Sequence, residues 1–143
     1  NMPRAKYELE RLKQIAKAEG VWNDLRFRDQ IALLEVDIVA LEVMVLRALS
    51  AEQRNQQALD VTGLLKIAGS EIEQRYTELM MLAAGPYAIP FTREAMEGGW
   101  QGNHVNGAHV APLAASYFNA RKTTIYGGSN EIQRNIVAQS VLG

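Results

Sequence analysis

Apolar residues recur at helical intervals almost from the first position of the chain. Between Arg4 and Glu19, Ala5, Leu9, Leu12 and Ala16 form one stripe among many charges, and Gly20 supplies a helix stop. A short linker, "VWNDLRF", leads to Ile31, Leu34, Ile38, Leu41, Val45 and Ala48, spaced in steps of three and four. A second stripe, Leu33, Val36, Ala40 and Val43, lies beside the first. A helix apolar over this width needs cover on more than one side, so it is either central in a bundle or shared with a neighbouring subunit.

A polar connection, "AEQRNQQALD", separates this helix from a third, with Asp60 or Thr62 placed to cap it. The third helix carries Leu64, Leu65, Ala68, Ile72, Tyr76, Leu79, Met80 and Ala83, and "AGPY" breaks it. Gly69 within it costs about 1 kcal/mol relative to alanine, which predicts close packing against another helix. Residues 86–112 lack periodicity, hold Gly98, Gly99, Gly102 and Gly107, and form a long loop. A short helix over Leu113–Lys122 follows, then a last one with Ile132, Ile136, Val137 and Val141 expected to face inward. No strand alternation and no internal repeat interrupts this sequence of helices. The pattern predicts one all-α bundle with up-and-down connections.

Composition narrows the function classes. The 143 residues suit one domain with a proper core, and a net charge of -1 without any basic block argues against a nucleic-acid surface. The absence of cysteine excludes disulfides, zinc–thiolate sites and thiol nucleophiles, and fits a cytoplasmic location. No apolar run approaches the roughly 20 residues of a membrane span, and the charged start has no apolar signal region. Asn1 ahead of Met2 reads either as an added remnant or as the edge of a longer chain.

Several groups could carry chemistry. His104 and His109 lie in the long loop, and their spacing without further ligands reads as exposed histidines, not a metal site. Glu35, Asp37 and Glu42 on the most apolar helix form either a solvated, salt-bridged strip or, if one is buried, a base. Arg121 and Lys122 either meet a phosphate or form a cation-favouring helix end. The stretch "YGGSNEIQRN", residues 126–135, is richer. Gly127 and Gly128 permit positive φ and close approach to the backbone. Ser129 or Gly128 can cap the helix that follows, with Glu131 near its third position as in a capping box. Free N–H groups at such a start suit an anionic or strongly polar ligand, and a purely structural capped turn is the competing reading.

The wider stretch "TIYGGSNEIQRN" resembles the C-terminal signature of the acyl-CoA dehydrogenase family, I-Y-E-G-T-S-E/Q-I-Q-R. Ile125, Tyr126, Gly128, Glu131, Ile132, Gln133 and Arg134 match it, and Ser129 stands in for the threonine. "RFRDQIALLE" is similar to the family's F-G-x-P-I-x-x-F-Q segment through Phe27 and Ile31, and "LAAGPY" takes the place of its G-G-x-G-Y turn. The resemblance covers nearly the whole chain. It implies a C-terminal four-helix bundle, here with an additional short helix and a long loop, of an FAD flavoprotein of lipid metabolism. Such an enzyme desaturates acyl-CoA thioesters between Cα and Cβ and passes electrons to an acceptor such as an electron-transfer flavoprotein. Members are usually tetramers with FAD held between C-terminal domains of paired subunits.

By the same resemblance, the Gly127 N–H matches a donor to the thioester carbonyl, and Tyr126 matches a residue lining the acyl site. Ser129 and Glu131 match FAD contacts, and Gly128 is counted with them as cofactor-binding. Many members carry a catalytic glutamate where this chain has Gly127, so no catalytic residue is assigned here and the base is expected upstream of Asn1. Asp24 stands at the position of an arginine that meets FAD phosphates, and Phe118 and Asn119 replace an R-D pair. The chain alone is therefore expected to bind FAD weakly and to be inactive. The alternative is a non-catalytic helical subunit or interaction module of a heteromeric complex of the same kind.

Overall fold

Gly20, in the left-handed conformation at φ 78°, sets the first boundary of the chain. Before it, α1 (Met2–Ala18) buries Ala5, Leu9, Leu12, Ile15 and Ala16, the stripe expected from the sequence widened by Ile15. These facts come from a computed structural model that describes residues 2–53, 61–97, 102 and 107–142. A 3-10 turn, Val21–Asn23, places Trp22 between the Lys17 ammonium at 5.0 Å and the Arg28 guanidinium at 5.5 Å. Next, Asp24 caps α2 (Leu25–Gln53): its Oδ1 accepts the Arg26 N–H at 2.9 Å and its carbonyl accepts the Arg28 N–H at 3.0 Å.

One face of α2 is buried through Phe27, Ile31, Leu34, Ile38 and Leu41. The second stripe is not: Val36 is 64% exposed and Leu34 only 1%. Within a single chain, then, α2 is not the centre of the bundle. That place belongs to α3 (Thr62–Ala84), which packs against α1, α2, α4 and α5. Gly63, Ser70, Thr77, Ala83 and Ala84 are small and buried, and they let several helices approach α3 at once. Overall apolarity pointed to α2, whereas closeness of packing is decided by side-chain size.

Three further expectations change for physical reasons. Gly69 has nothing within 4 Å of where a Cβ would stand, so it is not the close contact; Gly63 is, with Gln133 Oε1 at 3.0 Å and Val137 Cγ2 at 3.1 Å. The N-cap position of α3 is held by Val61 without a side-chain cap, so Thr62 is the first helical residue; Asp60 lies outside the described residues. The short helix α4 (Leu113–Ala120) gives way to a 3-10 turn, Arg121–Thr124, instead of continuing to Lys122.

The last helix, α5 (Asn130–Leu142), presents Ile132, Ile136 and Val141 to solvent, contrary to the expected orientation. Its packed face is instead Asn130, Gln133 and Val137, spaced i, i+3, i+7. Two of those three are polar, so hydrophobic periodicity selects the wrong face. The segment before α4 returns to the core through Ala88, Val110 and Ala111, all buried. The described residues contain helices and turns but no strand, which is the all-α up-and-down bundle the pattern predicted.

Candidate functional site

The head of α5 is built from the turn that precedes it. Backbone N–H groups of Ile125 and Tyr126 both reach the Lys122 carbonyl, at 3.0 and 3.1 Å, and close the 3-10 turn. Gly127 and Gly128 then take φ of 66° and 84°, as the double glycine predicted. Ser129 is the cap: its Oγ accepts the Ile132 N–H at 3.4 Å and its carbonyl accepts the Gln133 N–H at 2.9 Å. Glu131 is consequently the second helical residue, not the third. Its carboxyl is held below the usual carboxylate range by its own backbone N–H and by the Ser129 hydroxyl, with Arg134 and Lys66 adding attraction.

Beneath the turn lies a polar anchor that sequence reasoning missed. Asn130 is buried; its Oδ1 accepts the Lys66 ammonium at 2.7 Å, and its amide donates to Ser70 Oγ at 3.1 Å. Ser70 in turn donates to the Ile67 carbonyl at 2.9 Å. A buried amide left unpaired costs about 1–3 kcal/mol, so this network fixes where α5 begins. Only the presence of an asparagine inside the motif hinted at it.

A second tie holds the segment before the turn. The Gln74 side-chain amide on α3 faces the Ala120 and Arg121 carbonyls at 3.3 Å and Thr124 Oγ1 at 3.2 Å. Arg121 returns a bond to the Gln74 carbonyl at 2.9 Å and stacks at 4.3 Å on Tyr117. Arg121 is therefore neither a solvated helix end nor aimed outward at a phosphate; it is a strut between α4 and α3. Lys122 is exposed.

Around the turn the surface is apolar and open. Ile125 and Tyr126 are 69% and 57% exposed, Phe118 is exposed edge-on to Tyr117, and nothing lies within 4 Å of a Cβ built at Gly127. The five residues singled out from the sequence, Tyr126, Gly127, Gly128, Ser129 and Glu131, thus share one exposed turn at a helix N-terminus. What they jointly present is a backbone donor at Gly127, a hydroxyl, a carboxylate and an aromatic ring.

The other candidates do not join it. Glu35 pairs with Lys13 at 3.1 Å and Glu42 with Lys6 at 2.6 Å, while Asp37 is exposed, so these carboxylates form the salt-bridged strip and not a buried base. His109 Nε2 lies 2.8 Å from Glu19 Oε1; His104 falls outside the described residues. No group of three or more metal-ligating side chains occurs among the described residues.

Comparison with known proteins gives three findings. Residues 7–142 match the family described as "Acyl-CoA dehydrogenase, C-terminal domain". The chain is 27% identical over 132 residues to a Mycolicibacterium smegmatis protein named acyl-CoA dehydrogenase IpdE1, covering 92% of the chain but 29% of that protein. A Mycobacterium tuberculosis protein of the same name is 70% identical over 27 residues, which are 19% of the chain and 7% of that protein. No solved structure matches.

Proposed function

The chain belongs to the acyl-CoA dehydrogenase family, its residues 7–142 forming that family's C-terminal domain, and from this premise we propose that it serves an FAD-dependent enzyme desaturating an acyl-CoA thioester. The observation that carries the reading is the turn itself. Two consecutive glycines with positive φ expose a backbone donor at the head of a capped helix, beside an open apolar surface. A backbone N–H in that position can hold a thioester oxygen as negative charge develops on it, and so acidify the neighbouring α-proton. Tyr126 would line the acyl group.

The residues present fit the ring and thioester end of the cofactor site. Open space at Gly127 and the exposed faces of Ile125 and Tyr126 suit a flat aromatic surface, and Gly128, Ser129 and Glu131 would contact it. Bound FAD would accept the two electrons of desaturation. The phosphates are served less well by this chain. Lys66 is committed to Asn130, Arg134 to Glu71 at 2.6 Å and Arg121 to Gln74, while Asp24 caps α2 where the family has an arginine. The remaining contacts belong to other domains or subunits of an oligomer assembled through the bundle, with an electron-transfer flavoprotein as the class of acceptor.

Gly127 cannot take a proton, so the base comes from outside these residues. That same fact favours one rival, a non-catalytic bundle subunit whose partner holds the complete site. The decisive experiment mixes the full-length protein with acyl-CoA thioesters under anaerobic conditions and follows the flavin absorbance. Bleaching by the protein alone supports the enzyme. Bleaching only when a second, glutamate-bearing subunit is added supports the rival, and no bleaching in either case overturns both.

A further inference from the structure

Two glycines in succession cannot aim their own N–H groups. Gly127 and Gly128 lack the Cβ that restricts other residues, so the backbone there can take many directions unless something outside the turn fixes it. Yet a backbone donor lowers a barrier only when it already points at the place where charge develops. The direction of the Gly127 N–H is therefore set by the residues that hold the turn from either side.

Both holds come from one face of α3. Gly63, Lys66, Ser70 and Gln74 fall within an arc of about 80° and along roughly 17 Å of the helix. The buried Ile72, Tyr76 and Leu79 are turned about 120–180° away from the middle of that arc, into the apolar core. Downstream of the turn, Gly63 faces Gln133, while Lys66 and Ser70 meet Asn130 at 2.7 and 3.1 Å. Upstream, the hold is Gln74. Its Nε2 donates towards the Ala120 and Arg121 carbonyls at 3.3 Å and the Thr124 hydroxyl at 3.2 Å. It has two N–H groups for three acceptors, so one of them is shared. Arg121 closes the tie by donating to the Gln74 carbonyl at 2.9 Å. This fixes the 3-10 turn Arg121–Thr124, whose Lys122 carbonyl collects the N–H groups of Ile125 and Tyr126. Residues 125–129 are thus stretched between two points of one helix.

We propose that Gln74 is a positioning residue for the site: it fixes the upstream end of the turn to the helix that already holds the downstream end, and so sets the direction of the Gly127 N–H. It acts through the backbone, not by contact with substrate. Its consequence for turnover rests on the reading of that N–H as the donor to the thioester oxygen. Its effect on the turn rests on geometry alone.

Gln74→Met keeps the length and bulk of the side chain and removes both donors. Nitrogen-15 relaxation of the chain reads the turn directly. We expect order parameters of about 0.85 at Gly127 and Gly128 in the wild type, falling to about 0.6 or below in the variant, with α1 and α2 unchanged. Thr124→Val removes one acceptor and should act in the same direction. The double variant should loosen the turn no more than Gln74→Met does, because both changes break the same tie. A turn as rigid in Gln74→Met as in the wild type, or a loosening spread evenly over the bundle, overturns the proposal. The second measurement is acyl-CoA-dependent electron transfer by the full-length protein. A misdirected donor should lower kcat about tenfold or more and change KM less than about twofold, since only the charge of the transition state loses its partner. An unchanged kcat beside a loosened turn would instead overturn the donor reading of Gly127, and with it the place of Gln74 in the site.

Discussion

Gln133 lies so closely over Gly128 that a Cβ added to the glycine would stand 2.5 Å from its Nε2. The other end of the same amide faces Gly63 on α3, where an added Cβ would meet Oε1 at 3.0 Å. One side chain therefore spans from the turn to the central helix, and two glycines leave room for it. At Gly128 the cost of a side chain has two parts, the positive φ and the collision. Gly128→Ala should lower stability by about 1–3 kcal/mol, from strain and displacement together. Adding Gln133→Ala should remove only the collision, so the double variant loses less than the two single losses combined. Urea titrations of the four proteins measure this, and strict additivity would show that the amide does not rest on the glycine.

Tyr76 offers a pH signature of the core. Burial pushes its phenol up to about 12, with Glu73 repelling the charged form and Arg4 partly offsetting it. Because the folded value lies above the ordinary one near 10, the neutral phenol favours the folded state. That stability is complete below about pH 10 and is lost as pH rises through about 12. We expect tyrosinate absorbance to show one late-titrating residue, which Tyr76→Phe removes. If Tyr76→Phe instead removed a residue ionising near pH 10, the phenol would be accessible and the packing around it different.

The anchor under the turn can be broken without touching the turn's own residues. Asn130→Leu leaves the Lys66 ammonium and Ser70 hydroxyl without the amide between them, and should cost about 1–3 kcal/mol. The damage should be concentrated at the head of α5, because the apolar core of α1, α2 and α3 does not depend on Asn130. Thermal unfolding gives the loss, and proton resonances of the α5 backbone give its location. A uniform shift across the bundle would contradict this.

Cofactor retention separates what this chain supplies from what it lacks. Purified alone, it should not keep FAD through dialysis, because Lys66, Arg121 and Arg134 near the turn are committed to Asn130, Gln74 and Glu71. A flavin absorbance close to one per chain would refute that.

If the proposed desaturation holds, replacing by glutamine each glutamate of the regions that the family resemblance places ahead of this domain should reveal the base as a drop of about 10²–10⁴-fold in acyl-CoA-dependent electron transfer. Unchanged turnover in every such variant of an active, single-subunit enzyme would mean that the base lies elsewhere.

Much of this arrangement could be read from residue patterns. The stripe Ala5, Leu9, Leu12 and Ala16 declared α1, and the double glycine declared the left-handed turn, because both signals are local. Two things were hidden for one reason: they depend on which distant residue comes near. Gly63 rather than Gly69 became the close contact only because Gln133 and Val137 pack there. α5 turned its polar face inward because Ser70 and Lys66 await Asn130 some sixty positions away. Asp24 looked like a lost phosphate contact, and the structure adds what it gains, the cap of α2.

Since α5 is held by an amide network, one glycine contact and Val137 instead of a broad apolar face, it should be the first part of the bundle to open in native-state hydrogen exchange. Its opening free energy would lie well below that of α3. The turn at Gly127 and Gly128 exists as a binding surface only while that helix is docked. Any ligand gripping the turn would therefore do double duty, filling its site and raising the protection of the last thirteen-residue helix. Occupancy would then be written in the exchange rates of Asn130–Leu142 before it appeared in any global melting temperature.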